Sequence, residues 1–95
     1  MDLGLKGRVA LVAAGSKGLG LAVASELASE GAGVAICARG EEALSAAVTR
    51  IRGAGGRAHG VVADVSRPAD IARVVSESAA ALGPIDILVT NSGGP

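Results

Sequence analysis

The sequence predicts an α/β fold in which helices cover both faces of a doubly wound parallel sheet. Short apolar runs alternate along the chain with longer segments whose apolar residues recur every three or four positions. Glycine-rich turns separate the two kinds of segment, and 95 residues leave room for one domain. The resulting order, βαβαβαβ, corresponds to half of a three-layer αβα sandwich with right-handed crossovers.

Each element has its own signal in the sequence. The predicted strands are Val9–Ala13, Val34–Ala38, Gly60–Val65 and Ile85–Val89. The predicted helices are Leu19–Glu30, Glu41–Arg52 and a third between Ser66 and Gly83. The strands are apolar runs too short for helices, as expected of strands buried on both faces. The second helix carries Leu44, Ala47, Val48 and Ile51 at amphipathic spacing.

The third helix has the most explicit start and stop signals. Ser66 is predicted to cap it, Pro68 suits its first turn, and Gly83-Pro84 ends it. Its apolar positions predict a buried face, made of Ile71, Val74, Val75, Ser78 and Leu82.

Composition excludes several functional classes. Nine basic and nine acidic side chains give zero formal net charge, so no whole-chain electrostatic grip on nucleic acid or on an anionic membrane is expected. The sequence has no Phe, Tyr or Trp, which excludes a tyrosine acid or base within it and aromatic base-stacking surfaces. Its single cysteine, the absence of a signal-peptide pattern and the absence of a long apolar run predict a cytoplasmic protein without a membrane span.

The strongest local motif is the glycine-rich turn between the first strand and the first helix. It reads Ala14-Gly15-Ser16-Lys17-Gly18-Leu19-Gly20. Such a turn offers backbone N–H donors, close approach and the favourable field of a helix N-terminus, which together suit a phosphate. The strict dinucleotide spacing of three glycines is absent, as is the phosphate loop of nucleoside triphosphatases. A tight packing turn without a ligand is the alternative interpretation.

A basic residue follows the second strand, where NAD-preferring dinucleotide folds usually carry an acid. Arg39 holds that position, and Lys17 lies in the neighbouring turn. Both side chains suit the 2′-phosphate that distinguishes NADP(H) from NAD(H), because a guanidinium binds phosphate bidentately. The alternative is that both are ordinary solvated cations.

An acidic residue, Asp64, is predicted to close the third strand together with Val65. A carboxylate at this edge suits the amino group of adenine, with a nearby backbone N–H facing the ring. Taken alone, Asp64 is better explained as a cap of the next helix or as an acceptor for a loop amide.

These residues resemble the N-terminal part of a short-chain dehydrogenase/reductase, a Rossmann-type family. Gly18 and Gly20 match the second and third glycines of its T-G-x-x-x-G-x-G turn, and Thr90-Asn91-Ser92-Gly93 is similar to its N-N-A-G. Asp64-Val65 matches the adenine-contacting pair, while Arg39 and Lys17 match the basic positions of NADP(H)-preferring members. The resemblance covers all 95 residues and looks closest to the branch of 3-oxoacyl-carrier-protein reductases.

The resemblance implies an NADP(H)-dependent oxidoreductase that transfers hydride reversibly between the cofactor and a carbonyl or alcohol. The implied cofactor contacts are Ala14, Gly15, Ser16, Lys17, Gly18, Leu19, Gly20, Arg39, Asp64, Val65, Asn91 and Gly93. The family's catalytic Ser, Tyr and Lys have no counterpart in residues 1–95, so we expect a cofactor-binding part that is inactive alone and a catalytic part outside it. The resemblance also implies a homo-oligomer, a dimer or tetramer.

Two other functions remain compatible with the residues. One is a sensor that binds NADP(H) without chemistry. The other is an S-adenosylmethionine-dependent methyltransferase on a related sheet, which Arg39 disfavours because that site usually has an acid after the second strand. No metal site is predicted: His59, expected just before the third strand, has no ligand cluster around it, and Cys37 is interpreted as an inert core thiol. Asp86 is expected to cap or face solvent.

Overall fold

The computed structural model describes residues 4–13 and 18–90, the side chains at 18 and 19 excepted, and shows four strands and three helices in alternation. The strands are β1 (Val9–Ala13), β2 (Gly33–Ala38), β3 (Arg57–Val62) and β4 (Ile87–Thr90). The helices are α1 (Gly18–Ser29), α2 (Glu41–Gly53) and α3 (Pro68–Leu82). The predicted order βαβαβαβ is confirmed.

The four strands form one parallel sheet in the order β3-β2-β1-β4. The chain therefore builds outwards from β1 in one direction as far as β3, and α3 then carries it back across the sheet to the other side of β1. The strand order therefore reverses at β1, with β2 on one side and β4 on the other, which makes the crevice between the carboxyl ends of β1 and β4 the topological switch point of the fold.

The core lies on both faces of the sheet. Alternate residues of β1 and β2 point to opposite sides: Val12 and Ile36 pack under α1 and α2, whereas Leu11 and Cys37 pack on the side of α3. All six residues of β2 are buried, as expected of a central strand covered twice. Cys37 is 1% exposed, which agrees with its prediction as a core thiol.

Small residues set the spacing between the layers. A Cβ built on Gly60 in β3 would lie 3.0 Å from Cγ2 of Val48 and 3.1 Å from Cγ of Leu44, so glycine at this position lets α2 pack closely on the strand. At the end of α3, Gly83 has φ of 108°, a backbone conformation that side-chain-bearing residues rarely adopt. The chain therefore turns there from helix towards β4, as Gly83-Pro84 predicts.

The predicted boundaries of β3 are wrong by three residues at each end. β3 pairs with β2 along its full length, from Gly33 opposite Arg57 to Ala38 opposite Val62, and His59 lies within it. Asp64 and Val65 therefore follow the strand rather than close it. The strand stops because the chain turns, with the Arg67 N–H donating to the Asp64 carbonyl over 3.0 Å.

The prediction for α3 is partly wrong. Arg67, not Ser66, occupies the capping position, because Ser66 donates to Asp64 instead. Only Val74 and Ser78 of the predicted face are buried, and Leu82 is partly buried. These residues are four positions apart, so α3 contacts the sheet along a single row of side chains. Ile71 and Val75 lie on the adjoining row and are 46% and 44% exposed.

Asp86 is exposed just before β4, as predicted, and it also makes two contacts with β1. Its Oδ2 accepts a hydrogen bond from the Val9 N–H at 2.9 Å, and its own N–H donates to the Val9 carbonyl at 2.8 Å. Asp86 thus joins the start of β4 to the start of β1. β4 then begins at Ile87 rather than Ile85, while Ile85 packs against the core on the α3 side.

Candidate functional site

The carboxyl ends of all four strands lie along one edge of the sheet, since the strands are parallel. Segment 14–17 follows β1, Arg39 follows β2, residues 63–67 follow β3 and segment 91–95 follows β4. Among the described residues, the topology therefore brings Arg39, Asp64 and Val65 to the same edge as the ends of β1 and β4 and the start of α1. Ligands bind at this edge in open α/β sheets.

Part of the predicted site lies outside the described residues. These positions are Ala14, Gly15, Ser16, Lys17, Asn91 and Gly93, and the side chain of Leu19 belongs with them. The ends of the neighbouring elements bracket them: Ala13 closes β1, Gly18 opens α1 and Thr90 closes β4.

The N-terminus of α1 has the character of an anion site. The helix begins at Gly18, directly after the glycine-rich segment, and has no acidic residue in its first turn. The first N–H groups of a helix lack intrahelical acceptors and carry partial positive charge. Gly20 is buried within this first turn. No acidic side chain of this first turn therefore opposes an anion there.

Arg39 is exposed at the end of β2 and forms no ion pair with the described carboxylates. Glu41 and Glu42 follow it in the first turn of α2, where they favour the helix dipole. Its guanidinium is thus available to an external anion.

Asp64 lies in the turn after β3, and its carboxylate is held from one side. Oδ1 accepts hydrogen bonds from the Ser66 hydroxyl at 2.6 Å and from the Ser66 N–H at 2.9 Å. These two bonds lower the pKa of Asp64, the hydroxyl contributing more. Desolvation raises the pKa, and the positive charges of Arg39 and Arg67 lower it by lesser amounts. Among the described residues, Oδ2 accepts no hydrogen bond.

The backbone around Asp64 is held as well. Its N–H donates to Oδ2 of Asp70 at 2.8 Å, and its carbonyl accepts from Arg67. Val65 is 41% exposed, and its N–H has no acceptor among the described residues. An acceptor oxygen and a donor N–H are therefore both open at adjacent residues, which is the pattern that the edge of an adenine ring complements.

Sequence reasoning missed Asp70 and Arg73, two α3 side chains that reach back to this turn and to the end of β3. Arg73 donates from Nη2 to the Val62 carbonyl at 2.7 Å and lies 3.9 Å from Oδ2 of Asp70. The available signal was the position of Asp70 in the first turn of a helix that begins at Pro68, because a carboxylate there commonly accepts from preceding backbone.

Within the described residues, no group of His, Cys, Asp and Glu is arranged to hold a metal ion. None of the helices in that part of the chain has the length and apolar character needed to cross a membrane.

Comparison with known protein families supports the predicted fold and family over nearly all of residues 1–95. The profile of the family described as short chain dehydrogenase matches residues 8–95. The chain belongs to the short-chain dehydrogenase/reductase family. The fold and the family resemblance predicted from the sequence are thereby confirmed.

One similar protein is an uncharacterized oxidoreductase of Mycobacterium tuberculosis, MT0954. It is 41% identical over 90 residues, covering 95% of this chain and 34% of the relative. The chain spans about a third of the length of the curated relatives that it matches.

Solved structures of longer proteins share the fold. The L-sorbose reductase of Gluconobacter frateurii, complexed with NADPH and L-sorbose, superposes with a TM-score of 0.93 at 37% identity, covering 99% of this chain and 36% of that one. An actinorhodin polyketide ketoreductase with NADPH gives a TM-score of 0.88 at 39% identity, covering 100% of this chain and 36% of that one.

Proposed function

We propose that this chain is the cofactor-binding part of an NADP(H)-dependent oxidoreductase that interconverts a carbonyl and an alcohol. The observation that carries the proposal is the exposed Arg39 at the end of β2, on the same sheet edge as Asp64. A dinucleotide fold selective for NAD(H) usually presents a carboxylate at the position of Arg39, to hold the ribose 2′-hydroxyl. A guanidinium favours a 2′-phosphate there.

The donor and acceptor set at the edge fits each part of the cofactor. Arg39 would hold the 2′-phosphate, and the α1 N-terminus with the Ala14–Gly20 turn would hold the pyrophosphate. Asp64 Oδ2 and the Val65 N–H would bind the adenine edge. Lys17 would add positive charge beside the 2′-phosphate, and Asn91 and Gly93 would line the switch point after β4. When bound, the cofactor supplies or accepts the hydride.

The proton for this reaction would come from a part of the protein outside residues 1–95. The sequence contains no Tyr, so we expect the proton-transfer groups of the family, Ser, Tyr and Lys, to be provided by a catalytic part beyond residues 1–95. We likewise propose a homo-oligomeric, cytoplasmic protein. The residues of this chain would bind and orient the cofactor, and on their own they would not turn over substrate.

The proposed substrate is a small molecule with a ketone or secondary alcohol. Likeness to a polyketide ketoreductase supports a 3-oxoacyl substrate, whereas likeness to a sorbose reductase supports a sugar carbonyl. Family membership favours an oxidoreductase over an S-adenosylmethionine-dependent methyltransferase. We expect the chain to retain NADPH and not S-adenosylmethionine; the reverse retention would support the methyltransferase, and NADPH retention without turnover by the complete protein would support the sensor.

The substitution Arg39→Asp tests the cofactor preference. It removes a charge-assisted bond, which contributes about 1.5–3 kcal/mol, so NADPH affinity should fall about 10- to 150-fold. NADH carries no 2′-phosphate and should lose less than about threefold. Isothermal titration of both cofactors measures the two losses.

Arg50→Asp is the matched control. Arg50 is an exposed arginine on α2, so the control makes the same charge change away from the sheet edge. We expect it to leave the preference for NADPH intact. Equal losses of NADPH and NADH in Arg39→Asp would refute the proposed role of Arg39.

A further inference from the structure

Two side chains from the first turns of α3 reach back to the end of β3 and to the turn that follows it. Asp70 accepts the Asp64 N–H at 2.8 Å, and Arg73 donates to the Val62 carbonyl at 2.7 Å. The sheet ladder stops just before this turn, where the Ala63 N–H donates to the Ala38 carbonyl at 2.9 Å. Beyond Ala63, therefore, the backbone is held by α3 and by its own turn, and no longer by β2.

These bonds fix the directions of both groups proposed to meet adenine. The Asp64 carbonyl and the Val65 N–H belong to one planar peptide unit, so the bond from Arg67 N–H to that carbonyl also sets where the Val65 N–H points. The preceding peptide unit is fixed by the bond from the Asp64 N–H to Asp70. Ser66 binds Oδ1 through two hydrogen bonds, so the carboxylate cannot rotate freely and the direction of the open Oδ2 is fixed as well.

Asp70 is placed to hold this arrangement rather than to touch a ligand. Its side chain is 26% exposed, its Oδ2 is occupied by the Asp64 N–H, and Arg73 lies 3.9 Å away from the same oxygen. A hydrogen bond from a backbone N–H to a carboxylate is stronger than one to a neutral acceptor. Arg73 in turn contacts Glu77 at 3.2 Å, so the connection continues along the exposed side of α3.

We propose that Asp70 is a positioning residue for recognition of the adenine ring, acting through the peptide and carboxylate of Asp64. The proposal rests on the proposed function, since it assumes that Asp64 and Val65 bind adenine. It predicts that Asp70 controls discrimination at the adenine ring and leaves discrimination at the 2′-phosphate to Arg39.

Three cofactors separate these two kinds of discrimination in the full chain. NADPH is compared with NADH, which lacks the 2′-phosphate, and with nicotinamide hypoxanthine dinucleotide phosphate. The hypoxanthine analogue replaces the amino donor of adenine with an oxygen and the ring acceptor with an N–H, so it reverses both contacts to Asp64 and Val65. The unsubstituted chain should bind NADPH at least about tenfold more tightly than this analogue.

Asp70→Ala should reduce this adenine preference to less than about twofold, while the ratio of NADPH to NADH affinity stays within about twofold of its original value. Asp70→Asn keeps an acceptor for the Asp64 N–H and should restore most of the adenine preference. A general loss of structure would weaken all three cofactors together, so the split between the two ratios separates positioning from folding.

Glu77→Ala is the matched control, because it removes one carboxylate and one contact of Arg73 from the same helix without touching the turn after β3. It should leave both ratios unchanged. If Asp70→Ala does not fold, Asp70→Glu, which displaces the carboxylate by one methylene group, should lower the adenine preference in the same selective way.

The failures of the two proposals look different. An unsubstituted chain that does not prefer NADPH to NADH overturns the proposed function. A chain that prefers NADPH to NADH but does not distinguish the hypoxanthine analogue overturns the adenine role of Asp64, and the inference about Asp70 with it. A third outcome is an unsubstituted chain that shows both the preference for NADPH over NADH and the preference for NADPH over the hypoxanthine analogue. If the folded Asp70→Ala and Asp70→Glu variants then keep both preferences, only the inference about Asp70 is overturned.

Discussion

The Ser66 hydroxyl is the largest single influence on the charge of Asp64. Its 2.6 Å hydrogen bond to Oδ1 stabilises the carboxylate form and lowers the pKa of Asp64. The deprotonated form is therefore favoured, and this form is the acceptor that the proposed contact with the adenine amino group requires.

Ser66→Ala should raise the pKa of Asp64 towards its ordinary value, since the hydroxyl bond is lost and the Ser66 N–H bond remains. NMR titration of the Asp64 carboxyl carbon measures this shift. Ser76→Ala, at an exposed serine of α3, is the control and should leave the titration unchanged. A titration of Asp64 in Ser66→Ala that matches the unsubstituted chain would contradict this account.

The hydrogen bond from the Ser66 hydroxyl to Asp64 also makes the free energy of unfolding depend on pH. Because the pKa of Asp64 is lower in the folded than in the unfolded chain, its contribution to stability is present above the unfolded pKa of about 3.9. It disappears as the pH falls through the folded pKa. Ser66→Ala should therefore be less stable than the unsubstituted chain at neutral pH and equally stable at pH values below that folded pKa.

Residues whose roles depend on their place after a strand were predictable from the sequence. Arg39 and Asp64 are of this kind, because parallel strands bring their carboxyl ends to one edge whatever lies between them. Asp70 and Arg73 were not predictable, since their partners are backbone groups at the end of β3 and in the following turn, whose path the sequence pattern does not determine. The cofactor contacts themselves remain predictions.

At the scale of elements, sequence periodicity located every strand and helix but misplaced some of their faces and ends. α3 shows why. Its apolar residues form two adjoining rows, and the pattern cannot tell that only the row of Val74 and Ser78 meets the sheet. β3 shows the second cause, because its start is decided by pairing with Gly33 in β2 and not by its own composition.

β4 is an edge strand with an apolar side chain on its surface. Among the described residues it pairs only with β1, and Leu88 is 64% exposed. An apolar edge without a charge favours pairing with another chain. Leu88→Lys should therefore reduce self-association of the polypeptide of residues 1–95, as measured by sedimentation velocity over a range of concentrations.

Val75→Lys is the control for this change. It replaces an exposed apolar residue on α3, away from the strand edge, and should reduce self-association less than Leu88→Lys does. Equal effects of the two lysines would show that general surface hydrophobicity, and not the edge of β4, drives association.

At the scale of the molecule, stability depends on β2 being covered from both sides. Ile36 is fully buried in this strand, within the cluster under α1 and α2. Ile36→Ala should lower the free energy of unfolding by about 2–5 kcal/mol, from lost transfer energy and the cavity left behind.

Urea denaturation measures that loss, with Ile71→Ala as the matched control. Ile71 is 46% exposed, so the same substitution there should cost less than about 1 kcal/mol. Similar costs at both positions would mean that the double-sided core does not dominate the stability of the fold.

The overall architecture was the most predictable feature, because alternating buried strands and amphipathic helices allow few arrangements other than a parallel sheet. The position of β4 beside β1 was not predicted, because right-handed crossovers alone do not decide on which side of the sheet a strand is added. The hydrogen bonds that fasten it there, from Asp86 to Val9, do not follow from any local pattern.

That pair of bonds joins residues 77 positions apart and encloses almost the whole chain between them. At a synthesis rate of about 5–20 residues per second, roughly 4–15 s separate the appearance of Val9 from that of Asp86 on the ribosome. During this interval β1 can pair with β2 on one side only. The nascent chain therefore carries an open apolar strand edge until β4 emerges, and this edge exposes it to association with other chains during that interval.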